Sequence, residues 1–278
     1  MGGSAAYGNG ICRKGKSIKD GNRERGAVMF QLPEMILFDY GQTLIDETDY
    51  DTIRGNHAVL QRAVSNPRQI NALQLQKLAD ELSEDMTELF GPEKRAFPGG
   101  EFSCASFNRY LYEYLDIKLD IPWNEVERIF WDHAAPGYPT AGMKQLLGFL
   151  HEKGIRTAVV SNMMKNSETL TLRINRFFPE NHFEFIMTSC DYLFKKPHPR
   201  IFKMACAKAK LSAEKIWYCG DNLICDVKGS YQAGMSPVWY GACAKANQTL
   251  AEDIPYLTVM DWKELIQKID RLIAKEER

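Results

Sequence analysis

The sequence predicts an α/β fold built on a doubly wound parallel sheet, with an all-α segment inserted after the first strand. Three observations predict it. Residues 35–38 form a short, continuously apolar run, typical of a strand buried on both faces. From residue 140 onward, apolar runs alternate with amphipathic segments, as expected for a parallel sheet with helices on both faces. Between these regions, residues 49–133 show helical periodicity and no convincing strand.

The inserted segment is expected to hold four helices, because its apolar residues recur at helical spacing between helix-breaking sequences such as Asn66-Pro67 and Ile121-Pro122. The four helices are predicted at residues 52–64, 69–90, 102–115 and 123–133. Hinges are expected where polar residues, Pro and Gly interrupt the pattern, at 46–51 and 134–141.

The sheet is predicted from short apolar runs that end in polar residues or glycine. Its strands are expected at residues 35–38, 155–160, 183–187, 216–219, 237–240 and 256–259. Helices are expected at 140–152, 199–209 and 226–233, with an amphipathic C-terminal helix from Trp262. Residues 29–48 and 135–278 then form the α/β core, and residues 49–134 form the insert.

Residues 1–28 differ from the rest of the chain and are predicted to be a disordered basic tail. They are rich in Gly, Asn and Ser, and no hydrophobic stretch typical of a signal peptide follows their charges. Either Met29 or Met35 could be the natural start of the protein. A basic docking arm is the alternative function for this tail.

Composition restricts the classes of function. A formal net charge of -1 argues against a dedicated nucleic-acid or membrane surface, both of which usually need a basic excess. The seven cysteines contain no CxxC pair, which favours reduced thiols in a cytoplasmic protein over a disulfide framework or a zinc site. No apolar run is long enough to span a bilayer, so we expect a soluble protein.

Polar side chains follow three of the predicted strands. Asp39, Ser161 and Asp221 each stand where a strand ends, and ligands of parallel sheets bind beyond the carboxyl ends of the strands. Lys196 precedes the rigid Pro197, and Asp226 follows Asp221 by five residues. Alone, each has a structural explanation as a turn, loop or helix-capping residue. Their joint placement favours a site.

This set of residues suits phosphoryl transfer. A carboxylate such as Asp39 can attack phosphorus and form an aspartyl phosphate, which splits one difficult displacement into two. Because the carboxylate and the phosphate repel each other, a divalent cation is needed, and Mg²⁺ prefers oxygen ligands such as Asp39 and Asp221. Lys196 can neutralise remaining charge. The Ser161 hydroxyl and the neighbouring backbone N–H of Asn162 can bind phosphate oxygens.

Residues 35–270 resemble the haloacid dehalogenase (HAD) superfamily. Asp39 and Thr43 match its nucleophile segment, Ser161 its second motif, the run from Lys196 to Phe202 its lysine motif, and Gly220-Asp221 with Asp226 its acidic motif. The resemblance implies a Rossmann-like core with a helical C1-type cap and a phosphatase that uses Mg²⁺ on a small phosphorylated molecule. It implies that Asp39 and Lys196 are catalytic and that Thr43, Ser161, Asn162 and Lys196 bind phosphate. It also implies that Asp39, the Gly41 carbonyl and Asp221 bind metal, supported by Asp226.

One position departs from the pattern of the family's phosphatases. They carry a second Asp two residues after the nucleophile, as general acid and base, and this chain has Gly41 there. General acid–base help contributes about 10²–10⁴ in rate. The backbone carbonyl of Gly41 can still bind metal, so the sequence keeps the nucleophile, metal and lysine but lacks the usual proton donor.

Several explanations remain open for Gly41. Water or a residue near the hinge could supply the proton; the candidates are Asp46, Glu47, Asp49 and His57. The substrate could have a good leaving group, or the protein could bind a phosphorylated metabolite and act as a weakly catalytic regulator. Haloacid dehalogenases also lack the second Asp, but they lack the metal-binding Asp that is present here as Asp221.

Phosphonate-cleaving members of the family use a cap lysine, for which Lys77, Lys94 and Lys118 are candidates without any sign of burial. His198 is interpreted as a loop residue. Substrate specificity is expected to lie in cap loops such as residues 97–102.

Overall fold

The computed structural model describes residues 30–90, 100–244, 248–251 and 253–277. The predicted basic tail, Lys94 and residues 97–99 of the expected specificity loop lie outside the described residues. Among the residues described, no helix combines the length and the apolar character needed to cross a membrane.

The strands of the described chain are β1 (Met35–Phe38), β2 (Ile45–Asp46), β3 (Ala63–Ser65), β4 (Lys118–Leu119), β5 (Tyr138–Pro139), β6 (Arg156–Ser161), β7 (Phe183–Thr188), β8 (Ile216–Gly220), β9 (Ser236–Tyr240) and β10 (Leu257–Val259). The α-helices are α1 (Thr52–Leu60), α2 (Ala72–Phe90), α3 (Cys104–Tyr114), α4 (Trp123–Ala134), α5 (Met143–Glu152), α6 (Ser167–Phe177), α7 (Ser189–Tyr192), α8 (Pro199–Ala209), α9 (Gly229–Gln232) and α10 (Trp262–Glu276).

Six strands form the central sheet in the order β10-β9-β8-β1-β6-β7, and every neighbouring pair is parallel. Strand β1 is central and fully buried. Its Ile36 and Phe38 belong to one apolar cluster, to which α5, α6 and α10 contribute, whereas Met35 and Leu37 belong to another, to which α8 contributes. Helices therefore cover both faces of the sheet, which confirms the predicted doubly wound α/β fold.

The insert is mainly helical, as predicted, but the expectation that it contains no strand is wrong at one place. Strand β3 pairs with β4 as a small antiparallel ribbon. The helix predicted at 52–64 accordingly ends at Leu60, just before this ribbon. Strands of two or three residues are too short to produce a recognisable alternation of apolar and polar residues, so the sequence pattern did not indicate them.

A second difference concerns the helix predicted at 226–233. It begins earlier, as the π-helical turn Leu223–Lys228, and α9 continues it. The side chain of Asn222 accepts hydrogen bonds from the backbone N–H groups of Ile224 and Cys225 and so caps the turn.

The helical insert is joined to the core by two linkers that pair with each other through β2 and β5. Arg173 of α6 lies beside both linkers with 2% of its side chain exposed. It contacts Glu47 of the first linker at 2.8 Å, Asp132 at the end of α4 at 2.7 Å, and the carbonyl oxygen of Ala135 in the second linker. Its Nε also donates to the hydroxyl of Tyr40, next to Asp39, at 2.8 Å. One buried guanidinium thus holds the insert against the core.

The six cysteines within the described residues are free thiols.

We expect Arg173→Gln to lower the free energy of unfolding by roughly 3 kcal/mol, because it leaves the largely buried Glu47 without its ion-pair partner. The control is Arg62→Gln, which breaks an exposed pair with Asp120 and is expected to cost about 0–1 kcal/mol. Urea denaturation of both variants checks this. Equal losses of stability in the two variants would contradict a special role for Arg173.

Candidate active site

The predicted site residues meet at the carboxyl edge of the sheet. Asp39 follows β1, Ser161 ends β6, and Asp221 follows β8. Since β6 and β8 are the two neighbours of β1, the three positions lie side by side. The backbone N–H of Asp39 donates to the carbonyl oxygen of Cys219 at 2.9 Å, which fixes the start of the loop after β1 against β8.

Lys196 lies at the centre of the site, with 2% of its side chain exposed. Its ammonium nitrogen is 2.9 Å from Asp39 Oδ1 and 2.6 Å from Asp226 Oδ1. Burial works against the charged ammonium, but attraction to Asp226 and Asp39 outweighs burial and raises the pKa of Lys196. Lys196 is therefore a permanent cation between two carboxylates.

The side chain of Asn162 holds the backbone of Lys196. Its Nδ2 donates to the Lys196 carbonyl oxygen at 2.8 Å, and its Oδ1 accepts from the Lys196 N–H at 2.7 Å. No local sequence pattern indicates this contact, because its two residues lie on different loops. The amide side chain of Asn162 is thus used within the protein, and its backbone N–H remains the group expected to bind phosphate.

Asp39, Asp221 and Asp226 each offer a carboxylate oxygen, and these oxygens lie within 4.8 Å of one another. Three carboxylates and one ammonium carry a net charge of -2 when all are ionised (-3 +1). Hard divalent cations such as Mg²⁺ prefer such oxygen donors. The set of oxygen donors therefore fits the predicted metal. Asp226, predicted only to support the metal ligands, is itself one of the three clustered carboxylates.

Burial and mutual repulsion shift the pKa values of these acids. Burial raises the pKa of Asp221 to about 8, with further contributions from the charges of Asp226 and Asp39. Burial also raises the pKa of Asp226 to about 6, although Lys196 opposes this. Both shifts disfavour the ionised carboxylates, so a bound cation would stabilise the ionised form of the cluster.

The loop that carries Asp221 and Asp226 is tightly constrained. Asp226 Oδ2 accepts from the Asn222 N–H at 2.9 Å. A Cβ atom on Gly220 would lie 2.3 Å from the carboxyl group of Asp226, so this position requires glycine. The carbonyl oxygen of Asp221 accepts from the indole N–H of Trp239 at 2.9 Å.

Thr43 is fully buried, and its Oγ1 has no hydrogen-bond partner in the described part of the chain. An unpaired buried hydroxyl is costly, which supports a ligand contact at this predicted phosphate-binding residue. Thr188 shares this property and pairs in register with Ser161 on the neighbouring strand. Sequence reasoning missed Thr188, although its place at the end of a strand was a possible signal.

Gly41 faces open space, since a Cβ atom built there meets no other atom within 4 Å. Three of the residues considered as replacement proton donors are engaged elsewhere: Asp46 accepts from the Thr48 N–H, Glu47 pairs with Arg173, and Asp49 pairs with Arg54. Burial raises the pKa of Glu47. The fourth, His57, lines a surface groove together with Arg54 and His133.

The remaining candidates agree with their structural explanations. His198 caps α8, since its Nδ1 accepts from the Arg200 N–H at 3.2 Å. Lys77 and Lys118, two of the three lysines considered for phosphonate chemistry, are exposed to solvent.

Known proteins resemble this chain in sequence and in fold. A family model described as haloacid dehalogenase-like hydrolase matches residues 36–240. The chain is 28% identical over 168 residues to the glyceraldehyde 3-phosphate phosphatase of Pyrococcus furiosus. This match covers 58% of this chain and 68% of that protein.

Two solved structures share the fold. The 2-haloacid dehalogenase of Pseudomonas syringae pv. tomato has a TM-score of 0.57 at 19% identity, covering 89% of this chain and 99% of that chain. A HAD phosphatase from Thermococcus onnurineus has a TM-score of 0.55 at 19% identity, covering 84% of this chain and 97% of that chain. Because one is a dehalogenase and the other a phosphatase, the shared fold does not choose between the two reactions.

We expect Gly220→Ala to destabilise the protein by about 1–3 kcal/mol, because the added Cβ displaces the buried Asp226. Gly148→Ala is the matched control, since a Cβ there meets no atom within 4 Å and lies in the interior of α5. Its expected effect is a gain of up to about 1 kcal/mol. Urea denaturation measures both. A neutral Gly220→Ala variant would contradict the close approach to Asp226.

Mg²⁺ affinity should rise with pH between about pH 6 and pH 8, because the ion must displace protons held by Asp226 and Asp221. The free energy of unfolding of the metal-free protein should instead fall as pH rises. A carboxyl group whose folded-state pKa is raised loses its stabilising contribution as pH rises through that value. Titration calorimetry at both pH values tests this, and Asp221→Asn should weaken the dependence. An affinity that is the same at both pH values would contradict it.

Proposed function

The chain belongs to the haloacid dehalogenase-like hydrolases, and we propose that it is a Mg²⁺-dependent phosphohydrolase acting on a small phosphorylated molecule through an aspartyl phosphate at Asp39. The observation that carries the proposal is the Lys196 ammonium lying 2.9 Å from Asp39 within a cluster of three carboxylates. This arrangement combines a nucleophile, a permanent cation and a set of oxygen donors at one edge of the sheet.

The residues proposed to hold Mg²⁺ are Asp39, Asp221 and the carbonyl of Gly41, supported by Asp226. When bound, the ion would offset the charge of the substrate phosphate and of the carboxylates around it. The Thr43 and Ser161 hydroxyls, the Asn162 N–H and the Lys196 ammonium are proposed to contact the phosphoryl oxygens. Because Lys196 is held in place before substrate arrives, its charge needs little reorganisation during the reaction.

The proposed reaction has two displacements. A carboxylate oxygen of Asp39 attacks phosphorus, the bond from phosphorus to the leaving oxygen breaks, and that oxygen takes a proton from solvent. Water then attacks the phosphorus of the aspartyl phosphate, loses a proton to solvent, and releases inorganic phosphate with the Asp39 carboxylate restored. Solvent is assigned the proton transfers because Gly41 has no side chain and Asp46, Glu47 and Asp49 have other partners.

Phosphate-ester hydrolysis is favoured over dehalogenation by the acidic cluster. Displacement of halide by a carboxylate needs no divalent cation. Asp221 and Asp226 add two carboxylates beside Asp39, and this set of oxygen donors suits a divalent cation. The name of the Pyrococcus relative, a phosphatase of glyceraldehyde 3-phosphate, supports a small phosphorylated substrate. The free cysteines suit a reducing compartment such as the cytoplasm.

Gly41 supports a second candidate function. Without an acid beside the leaving group, the protein could bind a phosphorylated metabolite and turn it over slowly, as a sensor or regulator would. This candidate shares Asp39, Lys196 and the metal site with the first. It differs in that Mg²⁺ and phosphate bind without appreciable hydrolysis across a panel of phosphate esters.

Asp39→Asn should reduce hydrolysis of every accepted phosphate ester to background, because an amide cannot form the aspartyl phosphate. Release of inorganic phosphate from a panel of esters, with and without Mg²⁺, is the measurement. Asp270→Asn, an exposed position on α10, is the control and should keep full activity. An unchanged rate in Asp39→Asn would overturn the mechanism.

Gly41→Asp should raise the rate on alkyl phosphates by roughly 10²-fold or more, because it restores an acid for a poor leaving group. The open space around Gly41 leaves room for the side chain. Gly41→Asn, of the same size but without an acid, should give no gain. The wild-type protein should prefer acetyl phosphate or p-nitrophenyl phosphate to alkyl phosphates. Equal wild-type rates on leaving groups of very different pKa would contradict this account.

A further inference from the structure

We propose that Tyr218 is a positioning residue for Lys196: its phenol oxygen accepts one N–H of the ammonium and holds that group at its working distance from Asp39. The inference rests on the proposed function for its catalytic consequence and on hydrogen-bond geometry for the contact itself. Tyr218 lies in the middle of β8, two residues before Gly220, and is 1% exposed.

The ammonium of Lys196 has three N–H donors and no acceptor. Three oxygens surround it: Asp226 Oδ1 at 2.6 Å, the Tyr218 hydroxyl at 2.7 Å and Asp39 Oδ1 at 2.9 Å. The contacts with Asp226 and Tyr218 are hydrogen bonds, whereas the contact with Asp39 is an ion pair without hydrogen-bond geometry. The two carboxylates belong to the acidic cluster, whereas the phenol is neutral and comes from the interior of the sheet.

The direction of the hydrogen bond between Lys196 and Tyr218 is fixed. The single proton of the phenol is directed to the carbonyl oxygen of Val160, 2.6 Å away. Since Lys196 can only donate, the phenol oxygen must accept from it. A chain of two hydrogen bonds thus runs from the ammonium to the backbone of β6, one residue before Ser161.

Tyr218 is itself held rigidly. It pairs with Leu37 of β1 in the parallel ladder, and its ring packs edge-on against Phe202 at 5.4 Å between centroids. Asn162 meanwhile fixes the backbone of Lys196. The lysine is thus anchored at both ends of its side chain, by an amide at the backbone and by a phenol at the ammonium.

This anchoring has a catalytic consequence. Without the phenol oxygen, the buried ammonium loses one of its two hydrogen bonds, and the remaining attraction comes from the two carboxylates alone. The ammonium would then move relative to Asp39. Positioning errors of about 1 Å can cost on the order of 10²-fold in rate. Phosphate binding through Lys196 should weaken much less than kcat falls, because the charge of the ammonium is retained and only its distance from Asp39 changes.

The kinetic test compares Tyr218→Phe with Tyr112→Phe, a buried tyrosine of α3 outside this network. We expect kcat for acetyl phosphate to fall roughly 10- to 100-fold in Tyr218→Phe, with inhibition by inorganic phosphate and activation by Mg²⁺ changed by less than about threefold. Tyr112→Phe should match the wild type. A kcat within about twofold of the wild type would overturn the proposal, as would parallel losses of kcat, phosphate binding and Mg²⁺ binding.

A second measurement needs no activity and separates this inference from the proposed function. In protein labelled with ¹⁵N-lysine, the buried Lys196 ammonium, hydrogen-bonded to Asp226 and Tyr218, should give a slowly exchanging ¹H–¹⁵N signal, assigned by its loss in Lys196→Arg. The signal should persist in Tyr112→Phe and shift or vanish in Tyr218→Phe. If the wild type gives no such signal, or if it is unchanged in Tyr218→Phe, the contact is disproved. If the wild type hydrolyses no phosphate ester, the proposed function fails while this test still stands.

Discussion

The ammonium of Lys196, buried between Asp39 and Asp226, is the interaction on which the rest of the site depends. A buried charge is stable only when it is paired and hydrogen-bonded. This one is paired with Asp39 and Asp226, and it donates hydrogen bonds to Asp226 and to the Tyr218 hydroxyl. The acids still outnumber the cation. Burial, with a further contribution from the charges of neighbouring acids, raises the pKa values of Asp221 and Asp226. The excess of negative charge disfavours ionisation of the carboxylates in the metal-free protein. For the same reason, the cluster suits the divalent cation that we propose.

The fold supplies this arrangement through parallel strands whose carboxyl ends meet. It also attaches the helical insert close to Asp39, because Arg173 contacts both linkers and the hydroxyl of Tyr40. Tyr40 follows Asp39 directly, so one guanidinium contacts both the linkers of the insert and the loop that carries Asp39. Because Arg173 is buried, a change in the linkers that separates Glu47 from Arg173 would leave a buried charge without its partner.

Much of this could be predicted from the sequence, since buried strands and the polar residues that end them leave a local pattern. Asp39, Ser161 and Asp221 were placed at strand ends from periodicity, and Lys196 and Asp226 from their spacing within family motifs. Asn162, Tyr218 and Arg173 act through contacts with residues far away in the chain, and local patterns do not report such contacts. The β3–β4 ribbon was missed because its strands are too short to show a period, and the open space at Gly41 depends on the folded loop.

The central claim is that Asp39 accepts the phosphoryl group, and mass spectrometry of acid-quenched protein tests it most directly. The account predicts that wild-type protein, mixed with Mg²⁺ and acetyl phosphate and quenched rapidly, carries a phosphoryl group on the peptide containing Asp39. It predicts no such group in Asp39→Asn or when Mg²⁺ is chelated. Hydrolysis that proceeds with no phosphorylated peptide at any quench time, or with the phosphoryl group on a different residue, would contradict the account.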